Sequence, residues 1–172
     1  MTQTSIALSR IAPSQTTAMT DRAMALRAQG RDIISLSVGE PDFATPPHVI
    51  EAAKAALDGG ETKYTAVGGT ARMKAAACLH FSRDLGISVP PSQVTVSAGG
   101  KQAIFHALMA TVSEGEEVIV PSPWWVSYPE IVRFAGGRVV PLVTHAKDNF
   151  RFTPGDLESL IGLQTALLVR GF

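Results

Sequence analysis

One stretch limits the possible folds more than any other: Val94-Thr95-Val96-Ser97-Ala98-Gly99-Gly100-Lys101-Gln102-Ala103, followed by Ile104 to Val112. Val94-Thr95-Val96 is β-branched throughout and reads as a short buried strand. Ala98-Gly99-Gly100 is too small and permissive to extend it and reads as a tight turn. From Lys101 the period becomes helical, with Ile104, Leu108 and Val112 on one stripe. A strand that turns through small residues into a helix leaves backbone N–H groups facing outward. With the positive end of the helix dipole, those donors suit a phosphate. A plain strand-to-helix connection uses the same pattern, so the turn alone leaves both readings open. Its spacing is neither G-x-G-x-x-G nor a Walker loop, which disfavours dinucleotides and nucleoside triphosphates.

The rest of the chain alternates in the same way. Met1 to Met19, around Pro13-Ser14-Gln15-Thr16, reads as an irregular arm that must lie on another domain or subunit. Thr20 to Gln29 reads as a helix stopped by Gly30, and Ile33-Ile34-Ser35-Leu36 as a strand entering the loop Val38-Gly39-Glu40-Pro41-Asp42-Phe43. Thr45-Pro46-Pro47 starts a helix with Thr45 as cap, and Val49, Ile50, Ala53, Ala56 and Leu57 form its expected buried stripe. After a loop with Lys63-Tyr64-Thr65 and Gly68-Gly69, Thr70 caps a helix to about Leu85, with Met73, Ala77, Phe81 and Leu85 inward and Gly86 ending it.

Beyond Val112 come a strand at Glu117–Val120, stopped by Pro121-Ser122-Pro123-Trp124-Trp125, and a helix from Ser127 to Phe134 ended by Gly136-Gly137. A strand at Arg138–Leu142, a short helix from Thr153-Pro154 and a strand at Ala166–Val169 follow. Such alternation predicts an α/β fold, a three-layer α/β/α arrangement with a mainly parallel sheet. Ligands of such sheets sit beyond the carboxyl ends of the strands, where both the Gly99 turn and the tryptophan pair fall.

Composition removes several function classes. The 172 residues carry 15 basic and 15 acidic side chains, so zero net charge gives no electrostatic support to nucleic acid or an anionic membrane as partner. Apolar residues at 45% and charged ones at 17% argue for a packed core over disorder. No apolar run approaches a membrane span. Cys78 is the only cysteine, which excludes an internal disulfide, fits a reducing, cytoplasmic setting and reads as a small core residue. The first twenty residues are rich in Ser and Thr, with one Arg and no acid, as in transit peptides, but show no clear amphipathic pattern and no apolar signal core. No metal site is expected.

An aromatic face near a phosphate site suits a planar phosphorylated ring. Trp125 could stack on such a ring; as a core anchor it would need no ligand. Tyr64, one of two tyrosines, sits in a polar loop, where its hydroxyl either donates to a phosphate or merely packs. Lys101 opposes the helix dipole, a cost that a bound anion offsets and that solvent also screens.

Four motifs in this order and spacing resemble the class I aminotransferases, closest to bacterial aspartate aminotransferases. They are Ser37-Val38-Gly39-Glu40-Pro41-Asp42-Phe43, Lys63-Tyr64-Thr65, Gly99-Gly100-Lys101-Gln102 and Pro123-Trp124-Trp125-Val126-Ser127-Tyr128-Pro129. The resemblance runs from about Arg10 to Leu168. It implies the fold type I of pyridoxal-phosphate-dependent transferases, pyridoxal 5′-phosphate as cofactor, and ping-pong transfer of an amino group between an aspartate-like amino acid and a 2-oxo acid. It implies that Gly99, Gly100 and Lys101 form the phosphate cup and that Trp125 stacks on the pyridine ring and lines the substrate pocket. Gly39 would meet the substrate carboxylate, and Tyr64 would reach the cofactor phosphate of the partner subunit in a homodimer. Residues 1–45 would form the arm and small-domain segment, and 46–172 part of the large, cofactor-binding domain.

Two departures stand out. Members accepting prephenate-like dicarboxylates often carry a lysine before the Pro-Ser of the arm, where this chain has Ala12. The family also continues past the last strand into an Asn-Pro loop, a ring-nitrogen aspartate, a Schiff-base lysine and a carboxylate-binding arginine. The sequence ends at Val169-Arg170-Gly171-Phe172 without them, and Lys54, Lys63, Lys74, Lys101 and Lys147 lie in other contexts. The expectation is an N-terminal portion with a truncated large domain, no catalytic residue of its own, no turnover alone, and a tendency to associate through exposed apolar faces. A lyase or synthase on the same fold, or a non-catalytic module retaining the phosphate cup, are the other readings.

Overall fold

The computed structural model describes residues 4–39 and 41–169; Glu40 and the terminal Arg170-Gly171-Phe172 named above lie outside them. The chain is α/β with a parallel sheet, as the alternation predicts. It divides into two compact units, residues 1–38 with 104–172 and residues 39–103.

The first unit holds the sheet. Strand β1 (Glu117–Ser122) is central, flanked by β2 (Arg138–Val143) and β3 (Thr165–Leu168), and both pairings are parallel. Val118 faces Val139 and Ile119 faces Val140, while the β3 register shifts between Glu117 and Val118. Val118, Ile119 and Val120 are fully buried, which explains a continuous apolar run in place of alternation. β1 runs two residues past the expected stop, through Pro121 to Ser122. Pro121 lacks only a donor; its neighbour Ser122 still accepts from the Thr144 N–H at 2.8 Å and the Thr144 hydroxyl at 2.6 Å. The Ser122–Pro123 peptide is cis.

Against this sheet pack α5 (Gly100–Thr111) and α6 (Ser127–Ala135). Leu108 and Val112 of the expected stripe join Val118, Val120, Ile131, Val132 and Val169 in one cluster, with Ile104 against it. Gly137 lets the next strand pass close by: a Cβ there would lie 2.8 Å from Val112 Cγ1 and 3.2 Å from Val132 Cγ1. α7 (Pro154–Glu158) starts at a full capping box, Thr153 and Asp156 each bonding the other's backbone.

The amino-terminal arm is not irregular. It forms α1 (Ile6–Ser9) and α2 (Gln15–Ala28), the latter starting five residues before the expected Thr20. Ser14 caps α2 by accepting from the Thr17 N–H, which offsets the poor helix propensity of Thr16 and Thr17. Arg10 reaches Glu114 at 2.7 Å and the Ala12 N–H donates to Glu130 at 2.9 Å, so the arm is held by carboxylates of the same unit. Ile33–Leu36 is extended but unpaired, with Ile34 and Leu36 exposed. A β-branched run needs a neighbouring strand to become one, and none pairs with it among the described residues.

The second unit contains α3 (Pro47–Asp58) and α4 (Ala71–Leu85). Pro46, not Thr45, is the α3 cap, with no side-chain capping bond. The α3 stripe is not buried: Val49, Ile50 and Leu57 are exposed, because no strand forms among the described residues of this unit to cover them. In α4, Thr70 caps Met73 and Gly86 ends the helix in the left-handed region, as the sequence indicates. Ala77 and Phe81 are half-buried, whereas Met73 and Leu85 are exposed. Val94-Thr95-Val96 is extended but unpaired as a strand; Val94 is buried and the Val96 N–H donates to the Gly68 carbonyl at 3.0 Å.

Candidate functional site

The small-residue turn is built by its own amides. Gly99 has φ +89°, a conformation costly for any residue with a Cβ. Its N–H donates to the Ser97 carbonyl at 2.8 Å, and its carbonyl accepts from Ala103 at 3.3 Å, opening α5. The Ala98 N–H donates to the Gln102 side-chain carbonyl at 2.5 Å. Those bonds consume the amides of Ala98 and Gly99. Gly100, Lys101 and Gln102 fill the first three helical positions, where no carbonyl four residues earlier lies in the helix to accept from them.

The space over the turn is open. A Cβ on Gly99 or on Gly100 would meet nothing within 4 Å, so a ligand's oxygens can approach the bare backbone. Dipole, unpaired amides and open access are the features an anion site needs, and Lys101 adds a cation in the same turn. These features fit a phosphate ester.

Gln102 is the residue that the sequence reading did not single out. The signal was present: glutamine at the third helical position is half of a capping box, reaching back to a backbone N–H before the helix. It fixes the turn from within.

Tyr64 lies in the loop between α3 and α4 with its side chain fully exposed. That loop closes through the Ala66 carbonyl, which accepts from the Gly69 N–H at 2.9 Å. Gly39 begins the same unit, and a Cβ on it would also meet open space. Gly39, Tyr64, Gly99, Gly100 and Lys101 thus all belong to the second unit.

Trp125 belongs to the first unit, in the turn between β1 and α6. The two adjacent indoles differ in role. Trp124 packs on the core cluster, while Trp125 remains 52% exposed. The Trp125 carbonyl accepts from the Tyr128 N–H at 3.0 Å, so its backbone is held by the first turn of α6 while its ring is free to stack. Cys78 is half-buried with a free thiol. Among the described residues, no group of His, Cys, Asp and Glu is arranged to hold a metal ion, and no helix is long and apolar enough to cross a membrane.

Comparison with known proteins gives a consistent answer. Residues 31–169 match the family model for aminotransferase class I and II. An aspartate/prephenate aminotransferase of Cereibacter sphaeroides is 49% identical over 158 residues, covering 92% of this chain and 40% of that protein. The aspartate aminotransferase of Bacillus subtilis is 41% identical, with 94% and 41% covered. A solved structure of Thermus thermophilus aspartate aminotransferase with maleate superposes with TM-score 0.92 at 44% identity, over 98% of this chain and 44% of that one. This chain therefore spans about 40% of the length of the curated relatives it matches. Its sequence and its fold place it in the class I and II aminotransferase family.

Proposed function

We propose that this chain is the amino-terminal part of a pyridoxal 5′-phosphate-dependent aminotransferase that moves an amino group between an aspartate-like amino acid and a 2-oxo acid. Bound pyridoxal phosphate supplies the electron sink for that transfer. The chain's own residues bind and orient. The amides of Gly100 and Lys101, with the Lys101 ammonium, hold the phosphate over the open turn at Gly99. Trp125 lays its exposed indole on the ring and borders the substrate, and the Gly39 backbone receives the substrate carboxylate. Tyr64 reaches the phosphate bound by the partner subunit of a homodimer. Residues 1–45 serve as arm and small-domain segment and 46–172 belong to the cofactor-binding domain, in a cytoplasmic protein.

The observation that carries this reading is the open, donor-rich turn opening α5. The family relationship supports the choice of phosphate ester. Within these 172 residues none of the five lysines stands where the family places its cofactor-linked lysine, so we expect binding without turnover.

Titrating the chain with pyridoxal 5′-phosphate tests the proposal. The expected result is reversible binding that quenches tryptophan fluorescence, is competed by inorganic phosphate and gives no transamination of aspartate with 2-oxoglutarate. Binding indifferent to phosphate would remove the cradle from the argument. Steady turnover by the chain alone would show that the catalytic machinery lies within it.

A further inference from the structure

Inside the second unit, the loop bearing Tyr64 rests directly on the segment leading to the phosphate-facing turn. The Val96 N–H donates to the Gly68 carbonyl at 3.0 Å. The next residue, Gly69, has φ +98°, and a Cβ there would lie 2.6 Å from Val96 Cγ2 and 2.7 Å from Val96 Cβ. Backbone and side chain touch with no room for a methyl group. Lys74 folds over the same spot from α4, its Nζ 2.9 Å from where a Gly68 Cβ would stand.

From Val96 onward each link to the turn is short and held. The Ser97 carbonyl accepts from Gly99 at 2.8 Å, and the Ala98 N–H is fixed by Gln102 at 2.5 Å. On the other side, the Ala66–Gly69 bond at 2.9 Å closes the loop directly after Tyr64-Thr65. A displacement at the Gly69–Val96 contact has little slack to absorb it in either direction. Close-packed contacts of this kind transmit displacement rather than yield to it.

We infer that Gly69 and Val96 are positioning residues that lock the Tyr64 loop to the Gly99–Lys101 turn and so set the geometry of the phosphate cradle without touching the phosphate. This rests on the proposed function of that turn. In a homodimer where Tyr64 serves the partner subunit's cofactor, the same contact joins the two phosphate sites. A bulkier residue at position 69 shifts the turn; a smaller one at position 96 loosens it.

The test titrates the chain, Gly69→Ala and Val96→Ala with pyridoxal 5′-phosphate and separately with pyridoxal, which lacks the phosphate. Tryptophan fluorescence reads binding, and thermal unfolding reads folding. Gly69→Ala should weaken pyridoxal phosphate binding about tenfold, since a strained left-handed alanine must displace Val96 or the loop. Val96→Ala should weaken it about threefold through lost packing. Neither should change pyridoxal binding. Equal losses for both ligands mean a general packing role and overturn the inference, as does no loss. If Gly69→Ala lacks a cooperative transition, Val96→Ala decides alone on the same criterion. An unsubstituted chain that binds pyridoxal phosphate no better than pyridoxal overturns the phosphate reading of the turn, and this inference with it. A clear preference in the parent chain, unaltered in both variants, overturns only the inference.

Discussion

The side-chain carbonyl of Gln102 accepts the backbone N–H of Ala98 at 2.5 Å. That bond spans the turn, and the Gly100, Lys101 and Gln102 amides that open α5 have no acceptor within the helix. Replacing Gln102 with Ala releases the Ala98 N–H and removes the brace. The expected costs are about 1 kcal/mol of stability, typical of a lost helix-start bond, and weaker pyridoxal phosphate binding. Denaturant unfolding and the fluorescence titration measure the two effects separately.

Trp125 offers a cleaner separation. Its indole is half exposed, whereas Trp124 packs on the core. Trp125→Ala should leave the unfolding midpoint nearly unchanged while weakening pyridoxal phosphate binding by about 2- to 12-fold, the worth of one aromatic stacking contact. Trp124→Ala should do the reverse and lower the midpoint first. Parallel thermal melts and titrations of the two variants check this.

The core makes a purely steric prediction at Gly137. Its missing Cβ faces Val112 Cγ1 at 2.8 Å, Val132 Cγ1 at 3.2 Å and the Glu116 carbonyl at 3.3 Å. Gly137→Ala should cost about 1–3 kcal/mol through overpacking. The companion substitution Leu108→Ala, at a fully buried position, should cost about 2–5 kcal/mol through a cavity. Urea unfolding of both variants measures the losses.

At the start of α7, the Thr153 backbone N–H, then its hydroxyl, bonds the Asp156 carboxylate and holds its pKa below the ordinary carboxylate range. A depressed folded pKa means the cap is at full strength above the unfolded value, about pH 4, and is lost as pH falls through the lower folded value. An NMR titration should place the Asp156 midpoint below that of an unstructured aspartate. Asp156→Asn should remove the acid-dependent fraying of this turn.

Exposed apolar side chains lead to a prediction about association. Val49, Ile50 and Leu57 of α3, together with Ile34, Leu36 and Phe43, lie open to solvent. Sedimentation should show the chain associating, and Ile50→Lys with Leu57→Lys should shift the population toward monomer. A well-behaved monomer at high concentration would contradict the expectation.

Much of the fold is legible where signals are local. Thr70 and Gly86, Gly136, and Thr153-Pro154 each mark a helix end through bonds made within a few residues. The strands β1, β2 and β3 are legible because their apolar runs find one another. Val94–Val96 and Ile33–Leu36 carry the same composition without a pairing partner, and composition cannot announce a partner. The α3 stripe fails for the same reason: periodicity identifies the face that seeks cover, not the cover itself. In the turn, glycine spacing marked the bare backbone. The brace from Gln102 and the fit of Gly69 on Val96 depend on a side-chain rotamer and on a contact across 27 residues, which no local window contains.

The sheet's strand order also has a consequence during synthesis. Strand β1 sits between neighbours that the ribosome delivers unequally: Arg138 lies 21 residues after Glu117, Thr165 48 residues after it. At about 5–20 residues per second, the nascent chain carries its most apolar strand with one flank bare for seconds. Val118, Ile119 and Val120 then form the segment a chaperone would meet first, and slower translation across the stretch between β2 and β3 would lengthen that exposure.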